Sequence, residues 1–269
     1  MLTQRIITAI IGLPLLIAAI WLGTPWFTIL VAAMAVLGSL EFYRMSNLIN
    51  VQPITYFGVA WVLLLVLSPY CPYSATTPFL ITSATVISLI WILFRSPKKQ
   101  AFSNWAWTIA GILYIGWMLS HWVGLRILEN GREWVFFAAL TTVASDTSAF
   151  FVGRACGKHP LAPTISPGKT WEGAIGGLLG AIIASLILRA IFTLPIFFLP
   201  INYWQTALLG GTVSIFAQFG DLTESLLKRN TGTKDAGKLL PGHGGILDRL
   251  DSVIFSGVVV YYFVEFAKL

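Results

Sequence analysis

Apolar stretches close to 20 residues long follow one another along this chain of 269 residues, separated by short polar connections. Apolar runs of this length predict helices that span a membrane. They run at about 6–23, 26–45, 54–68, 78–94, 105–126, 134–153, 172–193, 204–227 and 252–267, the third and fourth being short. Trp21, Trp26, Trp91, Trp105, Trp107, Trp122, Trp134, Trp171 and Trp204 fall at predicted ends, as amphipathic rings do at a membrane interface. The apolar run after Arg5 has the layout of a signal peptide, but it extends to about Gly23 without an A-x-A site, so an uncleaved first helix is expected. The expected fold is all-α, a polytopic integral membrane protein with about nine transmembrane helices. Residues 1–100 form one group of helices, and residues 101–269 form a second that carries the loops 142–173 and 221–251.

Composition supports a membrane protein. Apolar residues make up 57% and charged residues 10%, against about 45–50% and about 25% in soluble domains. The net charge of +6 could suggest nucleic acid, but no RNA- or DNA-binding motif is present, and the placement of the charge gives a better reading. With the N-terminus in the cytoplasm, only Arg126, Arg132, Arg189 and Lys268 of the 17 Lys and Arg lie on the far side. That is a strong positive-inside bias. Cys71 and Cys156 then lie on opposite faces and should not pair. Gly173, Gly176, Gly177 and Gly180 give two overlapping GxxxG spacings, read as close helix packing. Lys98 and Lys99 read as a surface anchor, and Glu41 and Arg44 as side chains that reach the interface by snorkelling.

Charge is concentrated in residues 225–251, which hold Lys228, Arg229, Lys234, Asp235, Lys238, His243, Asp248, Arg249 and Asp251. Asp can hold a hard divalent cation through oxygen, Lys and Arg can neutralise phosphates, and Gly242, Gly244 and Gly245 let the backbone approach a ligand closely. His159 and His121 have no spacing that would make a zinc site with His243, which is read as a binding residue.

All five aspartates lie after residue 145. Asp146 and Asp221 fall inside predicted spans, where a carboxylate marks a functional site. Each lies seven residues from a cytoplasmic helix end, about 10 Å deep at roughly 1.5 Å per residue. Ser214, Gln218, Asp221, Ser225 and Lys228 make one polar stripe at helical spacing, and Thr142, Ser145, Asp146 and Gly153 a weaker one. Between them, Pro167-Gly168-Lys169-Thr170 invites comparison with a P-loop, but that motif needs Gly where Pro163 stands. What remains is a basic loop, with Ser166, Lys169 and Thr170 in front of a helix start, where free N–H groups favour phosphate.

Together these residues resemble the signature of the phosphatidate cytidylyltransferase (CDP-diacylglycerol synthase) family. The resemblance is carried by Ser225, Lys228-Arg229, Lys234-Asp235, Gly237, Pro241, His243-Gly244-Gly245 and Asp248-Arg249-Leu250-Asp251. The run from Asp146 through Gly153-Arg154, Ser166-Pro167 and Lys169-Thr170 to Glu172-Gly173 is similar as well, so the strong part covers about residues 142–256. The resemblance implies the reaction CTP + phosphatidate → CDP-diacylglycerol + diphosphate, dependence on Mg²⁺, with K⁺ as a second cation, and an all-helical homodimer in the cell (inner) membrane whose site opens to the cytoplasm. Asp146, Asp221 and Asp248 are then expected to hold metal, with Asp251 next. Asp221, Asp248, Lys228, Arg249 and Lys169 are expected to carry the reaction. Ser166, Thr170, Ser225, Arg229, Lys234, Asp235, His243, Gly244 and Gly245 would bind the substrates.

The chemistry agrees independently. A phosphate monoester is already an anionic nucleophile, so its attack needs charge neutralisation and positioning rather than a strong base. Two other readings stay open. A CTP-dependent polyprenol or phytol kinase would move the terminal phosphoryl group instead, and the full Lys-Asp to Asp-Arg-x-Asp run speaks against it. An ion transporter could use intramembrane Asp, but its two halves should then show corresponding interrupted spans, and here the charge is one-sided. The D-G-x-x-A-R pattern of enzymes that consume CDP-diacylglycerol is absent from the sequence.

Overall fold

The computed structural model describes residues 2–95, 100–192, 198–237, 239 and 244–268, without the side chains of residues 2–9, 11 and 95. A helix lies at each apolar stretch. They are α1 (Leu2–Leu22), α2 (Trp26–Asn47), α3 (Thr55–Leu67), α4 (Thr76–Arg95), α5 (Ala101–Gly111), α6 (Met118–Ile127), α7 (Gly131–Cys156), α8 (Trp171–Ile191), α9 (Tyr203–Asn230) and α10 (Leu247–Ala267). A π-helical turn, Ile112–Trp117, joins α5 to α6 in one continuous rod. Among the described residues, six helices are long and apolar enough to cross a membrane: α2, α4 up to Phe94, the α5–α6 rod, α7, α8 and α10. The apolar parts Gly12–Leu22 and Thr55–Tyr70 are shorter. Helix α9 has the length, but Asp221, Glu224, Lys228 and Arg229 make its C-terminal half too polar.

The chain forms two compact units: Met1–Gly124 with Asn230–Leu250, and Leu125–Arg229 with Asp251–Leu269. In the first, Leu65, Ala84 and Ile112 form a buried cluster with Trp61, Leu80 and Trp117 packed against it. The Trp61 indole N–H donates to Leu80 O at 3.1 Å, which satisfies its one polar atom. Tyr43 is fully buried and its hydroxyl donates to Thr108 O at 3.0 Å. Glu41, two residues earlier on α2, does not reach the interface as expected. It is 4% exposed and turned toward Gly237, Gly245 and Leu247 of the same unit.

In the second unit α7 and α8 pack along the GxxxG face, as the glycine spacing predicts. A Cβ on Gly176 would stand 2.5 Å from Val152 Cβ, and one on Gly173 would stand 2.9 Å from Ala149 O. Hydroxyls tie the remaining helices. Ser145 Oγ lies 2.7 Å from Ser214 Oγ, and Thr142 Oγ1 lies 2.7 Å from Ser256 Oγ. One element departs from the all-helical expectation. The connection from α7 to α8 is an antiparallel hairpin, β1 (Pro160–Ala162) and β2 (Ser166–Thr170), pairing Pro160 with Thr170 and Ala162 with Ser166. Pro160, Pro163 and Pro167 each bias the preceding residue to extended backbone, so this loop cannot be helical. Strands of three and five residues are too short to show a period in the sequence.

Candidate active site

The second unit brings three carboxylates together. Asp146 comes from α7, Asp221 from α9 and Asp251 from α10. The helix contact that does this is close: Gly220 lies against the Asp251 carbonyl and the Phe255 ring, with no room for a Cβ. All three carboxylates are within electrostatic reach of one another. Asp146 is exposed, and Asp221 and Asp251 are half-buried. Lys169, on β2, places Nζ 2.7 Å from Asp221 Oδ2. The Ser225 hydroxyl points to Asp221 Oδ1 and the Ser252 hydroxyl to Asp146 Oδ1, both at 3.4 Å.

The hairpin holds Lys169 in this position. Thr170 is the N-cap of α8, its Oγ1 accepting from Gly173 N–H at 3.1 Å, an interaction worth about 1 kcal/mol. Ser166–Thr170 is extended, so this segment does not wrap an anion as a P-loop would. Ser166 is half-buried at the start of the strand. Arg229 Nε donates to Ile165 O at 3.1 Å, tying the end of α9 to the hairpin. Two acids to which the sequence reading gives no role also contribute. Glu172 closes the hairpin base: Oε1 lies 2.6 Å from His159 Nδ1, and Oε2 accepts from Lys158 N–H at 3.1 Å. Glu224 is fully buried and paired with Lys228. Its signal was the i,i+4 Glu–Lys spacing.

The first unit holds the remaining signature residues that the structure describes. Asp248, in the first turn of α10, accepts from Ala236 N–H at 3.0 Å and from Gly245 N–H at 2.7 Å. Gly244 has φ +85°, a conformation that disfavours any side chain, and a Cβ there would meet Asp248 Oδ2 at 2.7 Å. Lys234, Asp235 and Arg249 are exposed. Glu41 Oε2 accepts from Leu247 N–H, the first of α10, at 2.9 Å. His243 lies outside the described residues, as do Lys238, Pro241 and Gly242. The structure therefore gathers Asp146, Asp221, Asp251 and Lys169 in one unit, and Lys234, Asp235, Gly244, Gly245, Asp248 and Arg249 belong to the other.

Among the described residues, no three acidic, His or Cys side chains stand ready as a coordination shell. The second unit has instead three mutually repelling carboxylates with one ammonium, Lys169, in contact. The remaining charge is negative and every acidic donor is oxygen, a set that suits a hard divalent cation such as Mg²⁺. Cations around a cluster of this kind are what a triphosphate substrate requires.

The whole chain is similar to known proteins. Residues 3–267 match the Cytidylyltransferase family. A phosphatidate cytidylyltransferase of Synechocystis is 33% identical over 97% of this chain and 96% of its own length. One from Bacillus subtilis is 34% identical over 96% of each. A chloroplastic phosphatidate cytidylyltransferase of Arabidopsis thaliana is 33% identical over 97% of this chain and 72% of its own. With the match running from the first helix to the last, this chain belongs to the Cytidylyltransferase family.

Proposed function

We propose that the protein is a membrane-embedded enzyme that transfers the cytidylyl group of CTP to phosphatidate, releasing diphosphate and forming CDP-diacylglycerol. One structural observation carries the reading at the level of the site: Lys169 in ion contact with Asp221, amid the carboxylates of Asp146 and Asp251. The relatives' names carry the choice of substrates. The phosphatidate oxygen attacks the α-phosphorus of CTP, the bond to the β-phosphate oxygen breaks, and diphosphate leaves. No proton need be taken from the nucleophile, which accords with a site in which, among the described residues, no nucleophile is paired with a histidine base.

Asp146, Asp221, Asp248 and Asp251 are the residues proposed to hold Mg²⁺. When bound, the ion screens the charge on the polyphosphate and polarises its P–O bonds. Lys169 is proposed to exchange its contact with Asp221 for a substrate phosphate oxygen. Lys228, Arg229, Lys234 and Arg249 neutralise the remaining phosphate charge. Ser166, Thr170, Ser225, Asp235, His243, Gly244 and Gly245 shape the nucleotide pocket. The family resemblance alone supports K⁺ as a second cation and a homodimer. Nine spans, an N-terminus in the cytoplasm and a site open to that face of the cell membrane are supported by the positive-inside distribution.

The test is turnover by the purified full chain in detergent micelles containing phosphatidate. With CTP and Mg²⁺, mass spectrometry should find CDP-diacylglycerol, and chelation of Mg²⁺ should abolish it. Phosphorylated lipid and CDP as products would instead favour the kinase reading.

A further inference from the structure

Glu41 is the only acidic residue in the first 128 positions, and it sits within the apolar helix α2. A carboxylate buried there costs several kcal/mol unless its oxygens are used. The residue is 4% exposed. Oε2 accepts from Leu247 N–H at 2.9 Å, the first backbone donor of α10, where a negative charge also meets the positive end of the helix. Oε1 has no hydrogen-bond partner among the described residues. Gly237 and Gly245 both press on the carboxylate: a Cβ on Gly237 would collide with Oε1, and one on Gly245 would stand 2.5 Å from Oε2 and 2.7 Å from Gly237 N.

These contacts place the two arms of the signature loop side by side on one carboxylate that comes from 206 residues earlier in the chain. Asp248 fastens the same stem from the other end by accepting from Ala236 and Gly245 N–H. Only glycine allows the arms to come this close, which accounts for Gly237 and Gly245 at these two places. Residues assigned to the nucleotide flank this stem: Lys234 and Asp235 before it, Arg249 just after.

The geometry points to Glu41 as a positioning residue of the reaction: from α2 it clamps Gly237, Gly245 and Leu247 together and thereby sets the register of the nucleotide-binding residues around them. The inference rests on the proposed cytidylyl transfer for its kinetic part and on structure alone for the clamp. The clamped residues Gly237 and Gly245 adjoin Lys234, Asp235 and Gly244, which are assigned to the nucleotide, so loss of the clamp should be felt through CTP.

The experiment compares Glu41→Ala, Glu41→Gln and Gly245→Ala in the full detergent-solubilised chain. Two readouts are taken: hydrogen exchange of peptides covering 236–248, and initial rates with CTP and phosphatidate varied separately. Glu41→Ala should speed exchange at the stem and raise the KM for CTP about tenfold or more, as removal of a charged hydrogen-bond acceptor does. The KM for phosphatidate should stay within twofold. Glu41→Gln keeps an oxygen for Leu247 N–H and should recover most of both effects. Gly245→Ala, which puts a methyl group against Oε2, should speed exchange at the stem as Glu41→Ala does. A structural role alone would lower the yield of folded protein and leave exchange and both KM values of the folded fraction as in wild type. That result overturns the proposal, as does faster exchange with an unchanged KM for CTP. If Glu41→Ala does not fold, wild-type exchange in both other variants overturns it. If wild type makes no CDP-diacylglycerol, the proposed function fails, and exchange decides the clamp by itself.

Discussion

The Lys169–Asp221 pair, with Nζ 2.7 Å from Oδ2, joins a cation to the carboxylate cluster directly. Each member is assigned to the same event, the neutralisation of phosphate around the α-phosphorus, so their losses should not be independent. Lys169→Met and Asp221→Asn should each lower kcat by about 10²–10³-fold, the scale on which removing one preorganised electrostatic group acts. The double variant should be little worse than the worse single one. Steady-state rates on equal amounts of folded protein measure this, and losses that multiply would place the two residues in separate roles. Asp146 belongs to the same cluster, with Ser252 beside it. Asp146→Asn should insert normally, lose most turnover and require more Mg²⁺ for half-maximal rate. Near-normal activity with unchanged Mg²⁺ dependence would reduce Asp146 to a helix contact.

At the level of elements, helix packing in the second unit makes a sharp contrast available. Gly176 meets Val152 so closely that a Cβ would stand 2.5 Å from its Cβ, whereas no atom of the described residues lies within 4 Å of a Cβ at Gly12 on α1. Gly176→Ala should destabilise the protein by about 1–3 kcal/mol through overpacking. Gly12→Ala should be neutral or slightly stabilising, since alanine favours the helix by about 1 kcal/mol. Thermal unfolding in detergent distinguishes the two, and equal shifts would contradict the close α7–α8 contact. The GxxxG spacing announced this contact because small residues four apart serve little else in a membrane helix. The stripe from Ser214 to Lys228 likewise marked the face of α9 that carries Asp221. Glu41 was misread because its spacing from Arg44 near a helix end matches an interfacial anchor equally well. Its partners, Gly237, Gly245 and Leu247, are remote in sequence. The hairpin 160–170 escaped because its strands are defined by pairing with each other and by proline, not by any apolar period. Asp248 was legible as a functional carboxylate but not as the acceptor of Ala236 and Gly245 N–H, which depends on how the loop turns back on α10.

For the whole molecule, charge along the chain predicts how it lies in the bilayer. The positive-inside rule predicts that loops 95–104, 154–170 and 228–251 lie in the cytoplasm. Single cysteines at Ser103 and Thr233, in a background without Cys71 and Cys156, should react only with reagent admitted to the cytoplasm. Labelling of Thr233→Cys from outside in sealed cells would overturn this topology. The arrangement suits substrates of two kinds, a lipid whose acyl chains stay in the bilayer and a nucleotide that arrives from water. The account stands on what is transferred between them. The most direct measurement follows two labels of CTP through the purified enzyme with phosphatidate and Mg²⁺. Label at the α-phosphorus should appear in the lipid, and label at the γ-phosphorus should leave as diphosphate. Label from the γ position in the lipid would contradict cytidylyl transfer and make the protein a kinase.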